Sequence, residues 1–221
     1  MYINWARREL ALKVVYYGPA LSGKTTNLAR IHGRIIPQAR SDLICLKTSG
    51  DRTIFFDFLE LRPGKIIGMT PRVHLYTVPG QPQYETSRKM VLRGADGVVF
   101  VGDAQMDRME ANLQAWAQMQ SQLGEQGVAW NAFPLVIQLN KRDLPGSMEA
   151  EHLLRGLGLD GRHKVIEASA IQGIGVLDTL RTVVERMILN VRREAALANQ
   201  PASISGESQS SPEDRERERR R

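Results

Sequence analysis

Short apolar runs alternate with longer segments of helical periodicity along the first 194 residues. Residues 97–101 and 135–139 are almost continuously apolar, as strands buried on both faces of a parallel sheet require. Apolar residues recur three and four positions apart from Met106 to Leu123 and from Val176 to Val191, which predicts two amphipathic helices whose Met and Trp positions belong to the core. Further strand candidates are residues 12–17, 43–46, 54–61, 73–78 and 164–168. Strands that alternate with helices predict an α/β domain with a mostly parallel central sheet flanked by helices.

Residues 195–221 do not share this pattern. From Asn199 onward the sequence is rich in Ser, Glu and Arg, and Ile204 is its only large apolar residue. Such a segment buries too little apolar surface to offset the entropy of ordering. We therefore predict one folded domain over residues 1–194 and a flexible tail over residues 195–221. The last seven residues carry five Arg and two Glu, which would suit a weak contact with an anionic membrane surface.

The composition narrows the class of protein. The chain has 221 residues, a formal net charge of +6 and one cysteine, Cys45, so no intramolecular disulfide can form. Acidic and basic residues interleave and no aromatic–basic stripe is present, so we do not expect nucleic acid as the partner. The first residues lack the apolar core of a signal peptide, and no apolar run is long enough to span a membrane. We expect a cytoplasmic protein.

A phosphate-binding loop follows the first long strand candidate. Residues 18–25 read GPALSGKT, which matches G-x-x-x-x-G-K-[ST] between a strand and a helix. In such a loop, backbone N–H groups and the N-terminus of the helix converge on phosphate oxygens, and the lysine adds a positive charge. The Thr25 hydroxyl would be a ligand for Mg²⁺, which prefers oxygen. The predicted phosphate-binding residues are Gly18, Ala20, Leu21, Ser22, Gly23, Lys24, Thr25 and Thr26.

A second motif indicates guanine. Residues 140–143 read NKRD at the end of an apolar strand, and the Asp143 carboxylate can accept hydrogen bonds from both N1–H and the exocyclic amine of guanine. Adenine offers neither donor and would leave Asp143 buried and unpaired, so such a site can reject it by roughly 10⁴. We expect the stem of Lys141 to lie over the base and Asn140 to brace the loop. Ser169 and Ala170 follow the last strand, and the Ala170 N–H would reach guanine O6.

Residues between these motifs are candidates for sensing and hydrolysing a γ-phosphate. The Gly80 N–H could contact that phosphate, and Gln81 could orient an attacking water. Thr53 lies 28 residues after Thr25, where a second hydroxyl could bind Mg²⁺, and Arg52 beside it could act as an arginine finger in cis. The alternatives are that Arg52 and Thr53 are ordinary loop residues and that Gln81 is a surface residue.

Together these blocks resemble the Ras-like small GTPases, and more closely their bacterial MglA-like branch. The resemblance covers about residues 3–192 and is carried by residues 13–27, 52–59, 74–81, 87–112 and 140–145. It implies a Ras-like three-layer α/β fold and a Mg²⁺-dependent switch that hydrolyses GTP to GDP and phosphate in the control of cell polarity or gliding motility. It also implies Arg52 and Gln81 as the hydrolytic pair and Thr53 as the switch threonine.

The resemblance extends to partners and location. It implies a roadblock-domain (MglB-like) activating protein that reorganises the switches, with effectors and an exchange factor that the sequence does not name. It also implies recruitment to a cell pole or a membrane surface through partners.

Three positions depart from the usual small-GTPase pattern or constrain it. Thr77 stands where most small GTPases have an aspartate that holds Mg²⁺ through water, and we predict that Asp57 supplies this carboxylate. Ala20 replaces a glycine, so its Cβ would crowd the γ-phosphate and the Gln81 amide and slow hydrolysis. Pro82 biases Gln81 toward an extended backbone and suits the first position of a helix.

Two other functions remain open at the level of sequence. The protein could bind GTP tightly, hydrolyse little or none, and act as a scaffold; Ala20, Thr77 and the tail favour this alternative. An ATP-dependent phosphotransferase would need another reason for residues 140–143.

Overall fold

The computed structural model describes residues 2–4, 6–47, 55–65, 68–131, 133–160 and 164–198. The chain divides into two compact units, residues 1–190 and residues 191–221. Of the second unit, residues 191–198 are described, and they are helical. The predicted boundary at residue 194 and the predicted tail stay predictions, because residues 199–221 lie outside the described part of the chain.

The described strands form one mixed sheet with a parallel centre. Its order is β3-β4-β5-β2-β6-β7-β8, and β1 pairs antiparallel with β2. Strands β5, β2, β6, β7 and β8 pair in parallel, whereas β4 pairs antiparallel with both β3 and β5. The strands are β1 (Tyr2–Asn4), β2 (Glu9–Tyr17), β3 (Ile44–Lys47), β4 (Phe55–Leu61), β5 (Thr70–Thr77), β6 (Gly97–Asp103), β7 (Leu135–Asn140) and β8 (Val165–Glu167). The predicted α/β class is confirmed; the short strand β1 was not predicted.

Helices flank this sheet. They are α1 (Lys24–Arg34), α2 (Glu85–Leu92), α3 (Met109–Gly124), α4 (Ala150–Gly156) and α5 (Val176–Ala198). The two amphipathic helices predicted from periodicity correspond to α3 and α5. Helix α4 was not predicted, because its seven residues contain too few turns to show a period. No helix among the described residues is long and apolar enough to cross a membrane.

The main core lies between the sheet and helices α2, α3 and α4. Every residue of β6 and β7 is buried, and Met119 and Leu123 of α3 pack into the same cluster. The ring of Trp116 makes edge-to-face contacts with the rings of Phe100 and Trp130, with centroids 5.0 Å and 5.6 Å apart. The prediction that the Met and Trp stripe is core is therefore confirmed for α3, but wrong for Met106, which precedes the helix and is exposed.

The parallel centre of the sheet determines where functional groups can meet. Strands β2, β5, β6 and β7 run in the same direction, so the segments that follow them lie at one edge. Those segments are residues 18–23, 78–84, 104–108 and 141–149, which include both predicted nucleotide motifs. Ligands of open α/β sheets bind at this carboxyl edge.

Candidate functional site

The loop between β2 and α1 depends on two glycines. Gly18 has φ +144°, and a Cβ there would lie 2.2 Å from the carbonyl oxygen of Val101. Gly23 has φ +98°, and a Cβ there would lie 2.2 Å from Nδ2 of Asn140. Other side chains are excluded at both positions by backbone conformation and by contact. The loop therefore passes close to β6 and β7 and turns directly into the N-terminus of α1.

This loop forms one wall of an open cavity of about 880 Å³. Ala20, Leu21, Gly23 and Lys24 line it together with the half-buried Thr26, and the Leu21 side chain, at φ +65°, is largely exposed to solvent. Strands β3 and β4 and residues 77–81 contribute the other walls. The cavity is large enough for the phosphates of a nucleotide.

Lys24 is buried at the base of the cavity. Its Nζ donates hydrogen bonds to the carbonyl oxygens of Gly18 (2.9 Å) and Pro19 (2.6 Å). The Lys24 pKa is lowered to about 7, chiefly because burial disfavours the charged ammonium; the nearby charge of Arg88 acts in the same direction, and Asp57 opposes the shift. A bound anion would stabilise the charged ammonium, so Lys24 is suited to pair with phosphate.

A carboxylate stands beside the Thr25 hydroxyl. Thr25 Oγ1 donates to Oδ2 of Asp57 at 2.6 Å, and Thr77 Oγ1 donates to the same oxygen at 2.9 Å. The backbone N–H of Asp57 donates in turn to Thr77 Oγ1 at 2.9 Å. Asp57 therefore reaches from β4 to the place where Thr77 ends β5. A buried carboxylate and a hydroxyl are the oxygen donors that fit Mg²⁺.

Asn140 joins the phosphate loop to the loop that follows β8. Its Nδ2 donates to the carbonyl oxygen of Ser22 at 2.7 Å, and its Oδ1 accepts from the Ala170 N–H at 2.8 Å. This differs from the expected use of the Ala170 N–H for guanine O6, which would have to replace or share the bond to Asn140. Ser169 is buried beside it. Asp143 is exposed rather than buried, so only a bound base would cover it.

Lys141 takes part in a second set of contacts between the NKRD loop and the phosphate loop. Its backbone is left-handed (φ +71°), and its Nζ donates to Asp103 Oδ2 at 2.6 Å and to Gln105 Oε1 at 3.0 Å. Arg108 lies 3.7 Å from the same Asp103 oxygen and donates to the carbonyl oxygen of Ala20 at 2.9 Å. Sequence reasoning missed Asp103 and Arg108, although a carboxylate at the end of the apolar run 97–102 was a usable signal.

Residues 79–81 lie against the phosphate loop. A Cβ on Gly80 would come within 2.4 Å of both N and Cα of Ala20, so only glycine allows this approach. Gln81 is extended (φ −78°, ψ 142°) and Pro82 opens a short 3₁₀ helix, as predicted. The exposed Gln81 side chain accepts a hydrogen bond from Gln83 at 3.0 Å.

The buried side chain of Arg88 supports residues 79–81. It donates hydrogen bonds to the carbonyl oxygens of Pro79 (3.3 Å) and Gln81 (2.5 Å). Sequence reasoning missed it, because a charged residue on a short helix is usually exposed. Arg52 and Thr53 lie outside the described residues.

A phosphate loop and an NKRD loop at one edge of a parallel sheet define a P-loop small GTPase. The ADP-ribosylation factor family model matches residues 4–187, and the chain belongs to that family. It is 46% identical to the mutual gliding-motility protein MglA of Myxococcus xanthus over 87% of this chain and 98% of that protein.

More distant relatives lie within the same family. ADP-ribosylation factor-like protein 6 of Caenorhabditis elegans is 27% identical over 75% of the chain and 80% of that protein. ADP-ribosylation factor-like protein 4D of Bos taurus is 29% identical over 85% and 88%. The resemblance to MglA-like GTPases is confirmed: the protein is a GTP-binding switch that hydrolyses GTP.

We expect Ala20→Gly to accelerate hydrolysis. Gly80 lies against the backbone of Ala20, and we expect the Ala20 Cβ to take up space that the γ-phosphate and the Gln81 amide need. Because a displacement near 1 Å can cost about 10²-fold in rate, removing the methyl group should raise the single-turnover rate by roughly tenfold or more. Leu21→Ala, at an exposed position of the same loop, is the matched control. A variant no faster than the parent would refute the crowding.

GDP binding should be coupled to proton uptake at Lys24. At pH 8 the buried amine, with a pKa of about 7, is mostly neutral in the nucleotide-free protein, and the phosphates raise its pKa. GDP binding at pH 8 should take up about one proton, and the uptake by Lys24 should fade below pH 7. Titration calorimetry in buffers of different ionisation enthalpy measures this. A binding heat that is independent of the buffer at pH 8 would contradict it.

Proposed function

We propose that this GTPase is the switch of a cell-polarity or gliding-motility system, activated by a roadblock-domain (MglB-like) partner and recruited through partners to a cell pole or membrane surface. The observation that carries the proposal is the 46% identity to a mutual gliding-motility protein, which extends over 98% of that protein. A match over almost the whole length supports a shared role better than a match of the nucleotide site alone would.

In the proposed mechanism, the chain positions a water molecule and stabilises charge on the phosphates. Lys24 pairs with the β- and γ-phosphates, the Gly80 N–H contacts the γ-phosphate, and Gln81 orients the attacking water. The exposed Gln81 side chain lines the cavity and accepts a hydrogen bond from Gln83, so its amide must leave Gln83 and turn toward the attacking water before hydrolysis. We assign this turn to the activating partner, together with the placement of Arg52.

We also propose that Thr25 and Thr53 are ligands of Mg²⁺ and that Asp57 holds the ion through water in place of the missing aspartate at position 77. The bonds from Thr25 and Thr77 to one Asp57 oxygen support this assignment. Mg²⁺, when bound, would neutralise charge on the β- and γ-phosphates. The Thr77 hydroxyl orients the carboxylate.

A roadblock-domain protein should accelerate hydrolysis of bound GTP. The test is a single-turnover reaction on GTP-loaded protein, with GDP followed by chromatography, alone and with the MglB-like partner. We expect slow hydrolysis alone and acceleration of about 10³-fold or more with the partner, which Gln81→Leu should abolish and Gln83→Leu should not. Tight GTP retention without hydrolysis in either case would favour the GTP-binding scaffold instead.

Asp57→Ala should weaken the Mg²⁺-dependent retention of the nucleotide. In the parent, chelation of Mg²⁺ should accelerate GDP dissociation strongly, because the ion links the phosphates to the protein. In Asp57→Ala, dissociation with Mg²⁺ should be faster than in the parent, and chelation should accelerate it less. Asp178→Ala, which removes an exposed carboxylate, is the control. An unchanged response to Mg²⁺ in Asp57→Ala would eliminate Asp57 as a metal residue.

A further inference from the structure

Three fully buried polar side chains form a hydrogen-bonded network in the interior beneath the phosphate loop. They are Asn27 of α1, Gln138 of β7 and Thr179 of α5, and each has a relative exposure of 0%. Gln138 interrupts a strand whose other residues before Asn140 are apolar. Because buried polar groups lose their hydration, a group of this kind needs an explanation.

Every polar side-chain atom of this network has a hydrogen-bond partner. Gln138 Nε2 donates to Asn27 Oδ1 at 3.0 Å, and Asn27 Nδ2 donates back to Gln138 Oε1 at 2.9 Å. The amide of Gln138 also donates to Thr179 Oγ1 at 2.8 Å, and that hydroxyl donates to the carbonyl oxygen of Gly175 at 2.7 Å. Asn27 Nδ2 donates further to the carbonyl oxygen of Gly23 at 3.0 Å.

One end of this network is the hydrogen bond to the Gly23 carbonyl, which belongs to the peptide that starts α1. The Gly23 carbonyl and the Lys24 N–H belong to one planar peptide, so holding the oxygen on the interior side aims the N–H at the cavity. Gln138 and Asn140 are two residues apart and share one face of β7. Through them β7 holds two successive carbonyls of the loop: Asn140 holds Ser22 directly, and Gln138 holds Gly23 through Asn27.

We propose that Gln138, with Asn27 and Thr179, is a positioning group for the diphosphate part of the nucleotide. Stability alone does not require it. Apolar side chains of the same shape in place of a buried hydrogen-bonded set can be nearly neutral or stabilising, whereas removing one member leaves the others unpaired. What apolar side chains could not do is supply the second hydrogen bond to the Gly23 carbonyl, which also accepts from the backbone N–H of Asn27 at 2.9 Å. The benefit should therefore appear in phosphate binding.

The test compares GDP with GMP, which shares the base and α-phosphate but lacks the β-phosphate. In Gln138→Leu we expect GDP affinity to fall about tenfold and GMP affinity to fall much less, so that the preference for GDP over GMP shrinks about tenfold. Competition titrations against a fluorescent GDP measure both. Asp143→Ala is the matched comparison, because loss of a base contact should weaken both nucleotides by a similar factor and leave the preference unchanged. Equal weakening of GDP and GMP in Gln138→Leu would overturn the proposal.

A second comparison separates positioning from structural support. In Asn27→Leu/Gln138→Leu/Thr179→Val, no member is left unpaired, so thermal stability should recover relative to Gln138→Leu while the reduced preference for GDP persists. If the preference returns together with stability, the group is structural only. Thr179→Val alone removes the other end of the network, leaves one N–H of Gln138 without an acceptor, and should reduce the preference by about two- to threefold. An unchanged preference in Thr179→Val would also count against the proposal.

Discussion

Side chains from α1, from β7 and from the segment that follows β6 hold the carbonyl oxygens of the phosphate loop. Lys24 binds Gly18 and Pro19, Arg108 binds Ala20, Asn140 binds Ser22, and Asn27 binds Gly23. A peptide presents its N–H opposite to its C=O, so a loop that offers its N–H groups to an anion must direct its carbonyls elsewhere. The sheet order, the helix positions and the buried polar residues all serve this one constraint.

In the proposed metal site, Asp57 supplies the carboxylate that most small GTPases carry at the position of Thr77. Asp57 comes from β4, and the side chain of Thr77 on the neighbouring strand β5 holds it in place through reciprocal hydrogen bonds. The carboxylate therefore depends on the pairing of two antiparallel strands, because a shift of one residue would direct Asp57 to the opposite face of the sheet. Thr77 is then a support for the carboxylate rather than a weak substitute for it.

Local signals made much of this site predictable. The segments GPALSGKT and NKRD are continuous in sequence, and their strand and helix contexts are visible in the apolar pattern. Asp57 could be inferred because Thr77 lacks a carboxylate. The supporting residues could not be found in the same way: Gln138 lies 111 residues from Asn27, and Arg108 lies 88 residues from Ala20. Their partners become neighbours only through sheet order and register, and a polar residue inside an apolar run gives no indication of its partner.

The two carbonyls that bind Lys24 also influence how the nucleotide is exchanged. The Lys24 Nζ is not left without hydrogen-bond partners when no phosphate is near, because Gly18 and Pro19 supply them from the same loop. A phosphate that approaches Lys24 competes with ligands already in place, and part of its binding energy is offset by the bonds it displaces. The two carbonyl oxygens thus take the place of the phosphate oxygens when the site is empty. They weaken nucleotide affinity, but they give Lys24 stable hydrogen bonds between the release of one nucleotide and the binding of the next.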